Sequence, residues 1–495
     1  MAVVKKLRRA LRNLGLFSAL GFSSSAYANQ DQEIIANHLL GIEQQVSPEF
    51  VFDRNFDNVV DAADIVHAQQ SYAAFHRFTL DVPDSDLHEL LNTEIIQTAN
   101  QPASIITNIP NFPVVGYFSS LESVISENGS AWLTNHGFRE DIFLSEGLNV
   151  VQFRFPHQNR TVQRNIVLDP NYSTQDRELL YFPISDETLV LDLSGNHVLG
   201  VLPGLEINAV TPNLEWAAAN PRWIGNTALI STRDHATTIT LPVQTDIYHP
   251  AFPIFSEDGS YAFVRNFVIE MASNAVIRDD FPEQADNRFG SISGNILTMG
   301  YHAAGSTQAE FRTIDVTNDT LIRSQTISDI RVIPGDLAVD PTGLIGISST
   351  FSYATGMLAA VDMVTGEVLV QTDRLGDYMG VIDFSRDGQY MYVGSEGNSY
   401  WGLGGVYIYD MATLDFIRLY SLYGAGIIKV LSEDRMAVSS RYTIHNGEMG
   451  FFNRRGADIL RIDGDSLEFD HSIFLNHNTG YSYSSAGGFV HKPAE

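Results

Sequence analysis

The chain has 495 residues, with 59 Asp or Glu against 30 Lys or Arg and no cysteine. A formal charge of −29 makes nucleic acid and anionic membrane surfaces poor partners, because neutralising phosphates needs clustered cations. The missing cysteines exclude disulfides, thiolate metal sites, a lipoprotein attachment site and cysteine-linked quinone or haem chemistry, so stability must come from buried surface, for which a chain this long suffices.

At the amino terminus, Lys5, Lys6, Arg8, Arg9 and Arg12 precede a short apolar stretch that ends in Ala26-Tyr27-Ala28. This is the pattern of a secretory signal peptide over residues 1–28, cut before Asn29. The apolar stretch is about half the roughly 20 residues a bilayer span requires, so a secreted or periplasmic protein with no membrane span in its mature chain is expected. Without the five leader cations the charge is −34.

Residues 29–76 form the first module. Glu33 to Leu40 reads as a short helix with Ile34, Ile35 and Leu39 near one face and Gly41 placed to end it. Asp53, Asn55, Asp57, Asp61 and Asp64 then occupy positions 1, 3, 5, 9 and 12 of a loop, with the Val59 carbonyl available at position 7. A hard cation wants six or more oxygens, and alternate residues of a tight loop can all point inward, which is the ligand pattern of an EF-hand-like calcium site. Asp64 opens a second helix whose Ile65, Ala68, Tyr72 and Phe75 share a face.

On these residues the module resembles a dockerin-type calcium repeat, whose loops end in Asp. The resemblance implies Ca2+ held by Asp53, Asn55, Asp57, Val59, Asp61 and Asp64, and a cohesin-like docking partner. It departs from the family in showing one loop where cohesin-binding dockerins carry two, and in placing Asn58 where the loop usually has glycine.

Residues 77–92 read as a polar linker. From 93 to 170, β-rich runs at Ser104 to Ile106, Val114 to Phe118, Ala131 to Leu133, Ile142 to Leu144, Val150 to Phe155 and Val162 to Leu168 recur at about ten-residue spacing. That spacing predicts a small antiparallel β-sandwich. Leu144-Ser-Glu-Gly147-Leu-Asn149 resembles a strand-turn-strand stretch of bacterial immunoglobulin-like domains, and Trp132 is expected in the core.

Beyond residue 170 a unit of four short runs repeats. Phe384-Ser-Arg-Asp-Gly388 with Tyr390 to Val393 is its clearest copy, matched by Phe255-Ser-Glu-Asp-Gly259 with Tyr261 to Val264. Marks at Asp186, Asn226, Gly259, Gly294, Thr342, Gly388 and Asp434, at intervals of 40, 33, 35, 48, 46 and 46 residues, are expected between the first two strands of each unit. A second series begins at Asp315, Asp362 and Asp410. Seven marks predict a seven-bladed β-propeller over 171–495, since one four-stranded blade cannot cover both its faces alone. Ring closure is expected to join the region Leu179 to Phe182 to the last blade near Tyr481 to Val490. The repeats resemble YVTN-type propeller repeats, which implies the fold and leaves the activity open.

The expected architecture is thus mainly β: a seven-bladed propeller preceded by a small sandwich and a short helical, dockerin-like module. Residues before the innermost strands would surround the central funnel, which makes Trp216, His249, Asp336, Asp377 and Tyr378 candidate ligand contacts, together with Glu215. His249, Tyr248 and Tyr378 are the candidates for acid–base chemistry. No G-x-S-x-G, H-E-x-x-H or G-x-x-x-x-G-K-[ST] pattern occurs. Two readings follow: a non-catalytic, calcium-binding exported protein whose propeller recognises carbohydrate or protein, or an enzyme, lyase or hydrolase, acting on an extracellular polysaccharide in the funnel.

Overall fold

The structure is a computed structural model; it describes residues 104–494 except for short stretches, chiefly 246–252, 279–288, 396–404 and 476–488. The leader, the calcium loop and its flanking helices lie outside the described residues. Every regular element among the described residues is a β-strand.

Seven strands build the first region: β1 (Ser104–Thr107), β2 (Asn111–Tyr117), β3 (Glu122–Ser126), β4 (Ala131–Thr134), β5 (Gly137–Phe143), β6 (Gly147–Phe155) and β7 (Arg160–Leu168). They form a five-stranded sheet, β1-β7-β6-β3-β4, and a two-stranded sheet, β2-β5. Against the antiparallel expectation, β1 runs parallel to β7, because the chain leaves this edge strand for the second sheet and returns to it only through β7. Ile105, Val151 and Ile166 of the larger sheet and Phe112, Val114 and Ile142 of the smaller one are buried. The stretch Ser145–Asn149 closes as a side-chain-capped turn. Gly147 takes φ +90°, while the Asn149 amide donates to Ser145 O at 2.7 Å and accepts from Ser145 N at 2.9 Å. A residue with a side-chain carbonyl and amide is needed there, and Asn supplies both.

Seven four-stranded antiparallel sheets follow, the arrangement of a β-propeller. Blade 1 contains β8 (Leu179–Ile184), β9 (Glu187–Asp192) and β10 (His197–Pro203), with β35 (Val490–Lys492) as its fourth strand. Blade 2 runs β11 (Leu205–Val210), β12 (Trp216–Pro221), β13 (Gly225–Ser231), β14 (Thr238–Thr245). Blade 3 runs β15 (Ile254–Phe255), β16 (Tyr261–Val264), β17 (Phe267–Glu270), β18 (Ala275–Arg278). Blade 4 is β19 (Phe289–Ser293), β20 (Ile296–His302), β21 (Ala309–Asp315), β22 (Thr320–Ile327). Blade 5 is β23 (Pro334–Val339), β24 (Ile345–Thr350), β25 (Met357–Asp362), β26 (Val368–Asp373). Blade 6 is β27 (Met379–Phe384), β28 (Tyr390–Ser395), β29 (Gly405–Asp410), β30 (Phe416–Ser421), and blade 7 is β31 (Ile428–Val430), β32 (Arg435–Asn446), β33 (Gly450–Asp463), β34 (Ser466–Leu475). The first strands of blades 3 to 7 contact one another in succession, and β35 lies beside β11, so these are the inner strands of the ring.

Strand alternation explains the ring. Successive side chains point to opposite faces of a blade, and in β8 Leu180 and Phe182 pack with Ile427, Leu431 and Ile459 of blade 7 while Leu179 and Tyr181 pack with Ile207, Ala217 and Ile230 of blade 2. All four β8 side chains are fully buried, so neither blade face can be given to water.

Closure differs in detail from the sequence expectation. Leu179, Leu180 and Tyr181 pair with Lys492, His491 and Val490, so the carboxy-terminal strand crosses to the first blade and becomes its inner strand. The first and last strands of the propeller are thereby joined by ladder hydrogen bonds, which leaves no open seam edge. Glu178 anchors the join, at 3.0 Å from both Arg435 of blade 7 and His491 of β35. Its carboxyl is held below the ordinary range, chiefly by the His491 hydrogen bond and then by Arg435, against the opposing effect of burial. Lys492 is fully buried, its ammonium donating to Gln175 O at 2.5 Å and Arg177 O at 3.1 Å.

The mark series also shifts. Gly259, Gly294, Thr342, Gly388 and Asp434 lie between first and second strands as expected, but Asp186 separates β8 from β9, the second and third strands of blade 1, and Asn226 lies inside β13. The uneven intervals of 40 and 33 residues arise from the donated strand and from the unread turn at Thr211–Glu215.

Outer strands carry a regular irregularity. Ladder register shifts by one residue at Ile277, Ile322, Leu369 and Ile417, each the second or third residue of the fourth strand. Such bulges twist an edge strand away from edge-to-edge pairing. They also aim the next residue at the following blade: Arg323 donates to Met363 O, and Arg418 reaches Asp465 at 2.7 Å and Ser466 at 3.0 Å.

The β1–β7 region packs on β10, the outer strand of blade 1. Thr107 Oγ1 donates to Leu199 O at 2.6 Å. A Cβ at Gly200 would stand 2.6 Å from Ile109 and 2.9 Å from the Asn111 carbonyl, so glycine is required for this approach.

Candidate functional site

The turn between the first two strands has a recurring chemistry in blades 2, 3 and 6. In blade 6, Tyr390 N donates to Ser385 Oγ at 2.8 Å, Ser385 Oγ donates to Asp387 Oδ1 at 2.6 Å, and Gln389 N donates to the same oxygen at 3.0 Å. Gly388 takes φ +69°. Blade 3 repeats every part, with Ser256, Asp258, Gly259 at φ +68°, Ser260 and Tyr261. The serine hydrogen bond, then the Ser260 amide, hold the Asp258 carboxyl down at about 2. These Asp-Gly turns are structural.

Blade 2 has the same frame with different residues. Trp216 N donates to Thr211 Oγ1 at 3.0 Å, and Thr211 Oγ1 donates to Asn213 Oδ1 at 2.7 Å. Leu214 takes the left-handed φ of +59° where blades 3 and 6 have glycine. Asn213 thus stands where the other two have Asp, and Trp216 where they have Tyr.

Trp216 is half-buried and closes the end of the core between blades 2 and 3. Beside it lies a cleft of about 220 Å³. Leu229 and Leu241, both 1% exposed, form its floor with Ile239. Met271, Ala272 and Gly259 of blade 3 form the opposite wall, and Thr211, Asn213 and Asn274 supply polar edges.

Asn274 ends the turn between β17 and β18 at φ +52°, a conformation that Asn tolerates better than most residues. Its amide donates to Thr240 O of blade 2 at 2.7 Å, tying the two blades across the cleft. Its Oδ1 is buried without a hydrogen-bond partner among the described residues. Asn213 is engaged on both sides, its amide donating to Glu215 at 2.8 Å.

A second polar cluster joins the two regions of the fold. His235, 9% exposed and at φ +52°, lies within 3.2 Å of the Tyr181 hydroxyl through Nε2 and 3.1 Å of Asn108 Oδ1 through Nδ1. The Asn108 amide donates to Tyr172 O and Arg233 O at 2.8 and 2.9 Å. Burial pushes the His235 imidazole down to about 4, helped by Lys492 and opposed by Asp234, so it is neutral and structural at pH 7.

Of the funnel candidates, Trp216 does not precede an inner strand: it opens β12, the second strand of its blade, and faces the cleft between blades. The expectation failed because the turn before it lacks the Asp-Gly signal. Asp336 belongs to the inner strand β23 by its backbone. Tyr248, His249, Asp377 and Tyr378 lie outside the described residues, as do Asp53, Asn55, Asp57, Val59, Asp61 and Asp64. Sequence reading missed Asn213 and Asn274. Aligning Thr211–Trp216 with Ser385–Tyr390 would have exposed the first; the second had only its place at a turn end.

No family model matches the sequence. No curated protein is similar to it. Solved structures share parts of the fold at low identity. A chain of a mitotic checkpoint complex is 15% identical over 56% of this chain and 78% of its own, with a TM-score of 0.43. A putative 6-phosphogluconolactonase from Bacteroides fragilis is 12% identical over 61% of this chain and 96% of its own, with a TM-score of 0.40. TolB from Acinetobacter baumannii is 12% identical over 71% and 80%, with a TM-score of 0.34. Likenesses this distant bring neither activity nor partner to this chain.

Proposed function

We propose that this is an exported recognition protein: a dockerin-like module loaded with Ca2+, a small immunoglobulin-like β region, and a propeller of YVTN-like repeats that binds a carbohydrate or a protein without turnover. The observation that carries the reading is the departure of blade 2 from its own repeat. A turn needs only a hydroxyl, an acceptor and a residue that tolerates positive φ, and blades 3 and 6 meet this with Ser, Asp and Gly. Blade 2 spends a tryptophan and a neutral amide on the same frame, beside a cleft. Recognition sites favour this composition, an aromatic wall with a few fixed polar groups.

The test uses mature protein that begins at Asn29. Incubated with extracellular polysaccharides and with proteins of the surrounding medium, it should retain a ligand and release no product. A new reducing end or unsaturated sugar would establish the enzymatic alternative instead. A calorimetric Ca2+ titration beside Asp57→Ala tests the metal: one-site heat lost in the variant supports it, and equal heats remove the loop as its site.

A further inference from the structure

We propose that the cleft between blades 2 and 3 binds one uncharged pyranose ring of a carbohydrate, stacked on Trp216 with its hydroxyls against the neutral edge of Thr211, Asn213 and Asn274. This deepens the recognition reading and rests on it.

Three properties of the cleft select the occupant. Its volume of about 220 Å³ is below the range of drug-sized sites and fits a single ring, with the rest of a chain lying outside. Its inner surface is apolar, built by Trp216, Leu229, Ile239 and Leu241. An aromatic ring with polar groups to one side suits a sugar, which has an apolar C–H face and a polar edge. The polar edge is neutral: the Asn274 amide is committed to Thr240 O, and Asn213 to Thr211 and Glu215, so a ligand meets hydroxyl and amide groups there and no cation that would hold a carboxylate or sulfate.

Charge sharpens the choice. None of the residues lining the cleft is cationic, and Glu215, Asp258 and Glu270 adjoin lining residues in the chain. Glu215 is held against Asn213, and Asp258, with its carboxyl at about 2, stays ionised. An anionic sugar would meet this field in a protein of charge −29 without a compensating cation. Asn213, standing in place of the repeat's Asp, removes one negative charge from the edge of the cleft itself.

Calorimetric titration of the mature protein with cellotetraose, chitotetraose, mannotetraose and tetragalacturonate, beside Trp216→Ala and Ala272→Phe, tests the assignment. Ala272 is exposed on a turn, so a phenylalanine there obstructs the cleft without entering the core, and it answers the objection that Trp216→Ala unsettles the fold. The expected result is binding of at least one neutral tetrasaccharide, weakened tenfold or more in both variants, with no heat from tetragalacturonate. Neutral-sugar binding unchanged in Ala272→Phe overturns the cleft and leaves the recognition reading standing at another site. Binding of tetragalacturonate alone, or of none of the four sugars, overturns the sugar assignment.

Discussion

Blade 2 and blade 6 are built on the same two turns and use them differently. In the turn between their first strands, Thr211, Asn213, Leu214 and Trp216 match Ser385, Asp387, Gly388 and Tyr390. In the turn between their last strands, His235 at φ +52° matches Leu414 at +60°, each amide donating to the carbonyl four residues back. Blade 6 fills both turns with residues that serve the turn and its own blade, apart from Arg386, which donates to Leu431 O of blade 7 at 2.7 Å. Blade 2 fills them with side chains that reach beyond it, Trp216 to the cleft and His235 to the junction with Asn108 and Tyr181. Backbone hydrogen bonding therefore fixes where a blade can carry a special residue, and the side chain decides whether it does.

Exchanging the paired residues tests this comparison most severely. His235→Leu should cost about 3 kcal/mol in denaturant unfolding, because Tyr181 and Asn108 lose their partner inside the protein, whereas Leu414→His should change stability by less than about 0.5 kcal/mol. Equal effects would show that the two turns are not distinct in role.

The pH profile gives a second, comparable effect. His235 titrates at about 4 when folded and near 6.5 when unfolded, so the unfolded chain binds the extra proton first as pH falls. Its contribution is fully present above pH 6.5, is lost progressively between 6.5 and about 4, and reaches about 3 kcal/mol at one pKa unit per 1.36 kcal/mol. The difference in unfolding free energy between the parent and His235→Leu should shrink across that window; a constant difference would remove the histidine as its source.

Removing the turn hydroxyls should act alike in both blades. Thr211→Val and Ser385→Ala each leave the Trp216 or Tyr390 amide without its side-chain acceptor and take one of two donors from Asn213 or Asp387 Oδ1, at about 1 kcal/mol. A much larger loss for Thr211→Val would mean that the cleft, and not the turn frame, depends on it.

The smallest change at neutral pH is expected from restoring the repeat. Asn213→Asp should leave stability at pH 7 within about 0.5 kcal/mol and add an acid-sensitive group like Asp258, whose folded carboxyl at about 2 contributes above pH 4 and loses that contribution as pH falls toward 2. Neutral-sugar binding should weaken in the same variant, while Asp387→Asn in blade 6 leaves it unchanged.

How much could be read beforehand depended on which residues obeyed the repeat. Ser385–Tyr390 and Ser256–Tyr261 announced their blades because Asp-Gly has a fixed meaning in a tight turn. Thr211–Trp216 keeps the hydrogen bonds but not the letters, so the blade 2 mark fell on Asn226, inside β13. Trp216 was singled out for the wrong reason and faces the cleft between blades. Asn274 was invisible, since its meaning comes from Thr240, which lies 34 residues away.

The sequence by itself determined the strand-rich repeat and the first turn of blades 3 to 7, where five of the seven marks fell, because period-two alternation and turn chemistry are local properties of the chain. Only the tertiary structure decided that β35 completes blade 1, that Lys492 and His235 are buried and paired, and that Asn274 and Trp216 share a cleft. Those facts depend on which distant segments meet when both faces of every blade must be covered, and no stretch of sequence states its neighbour.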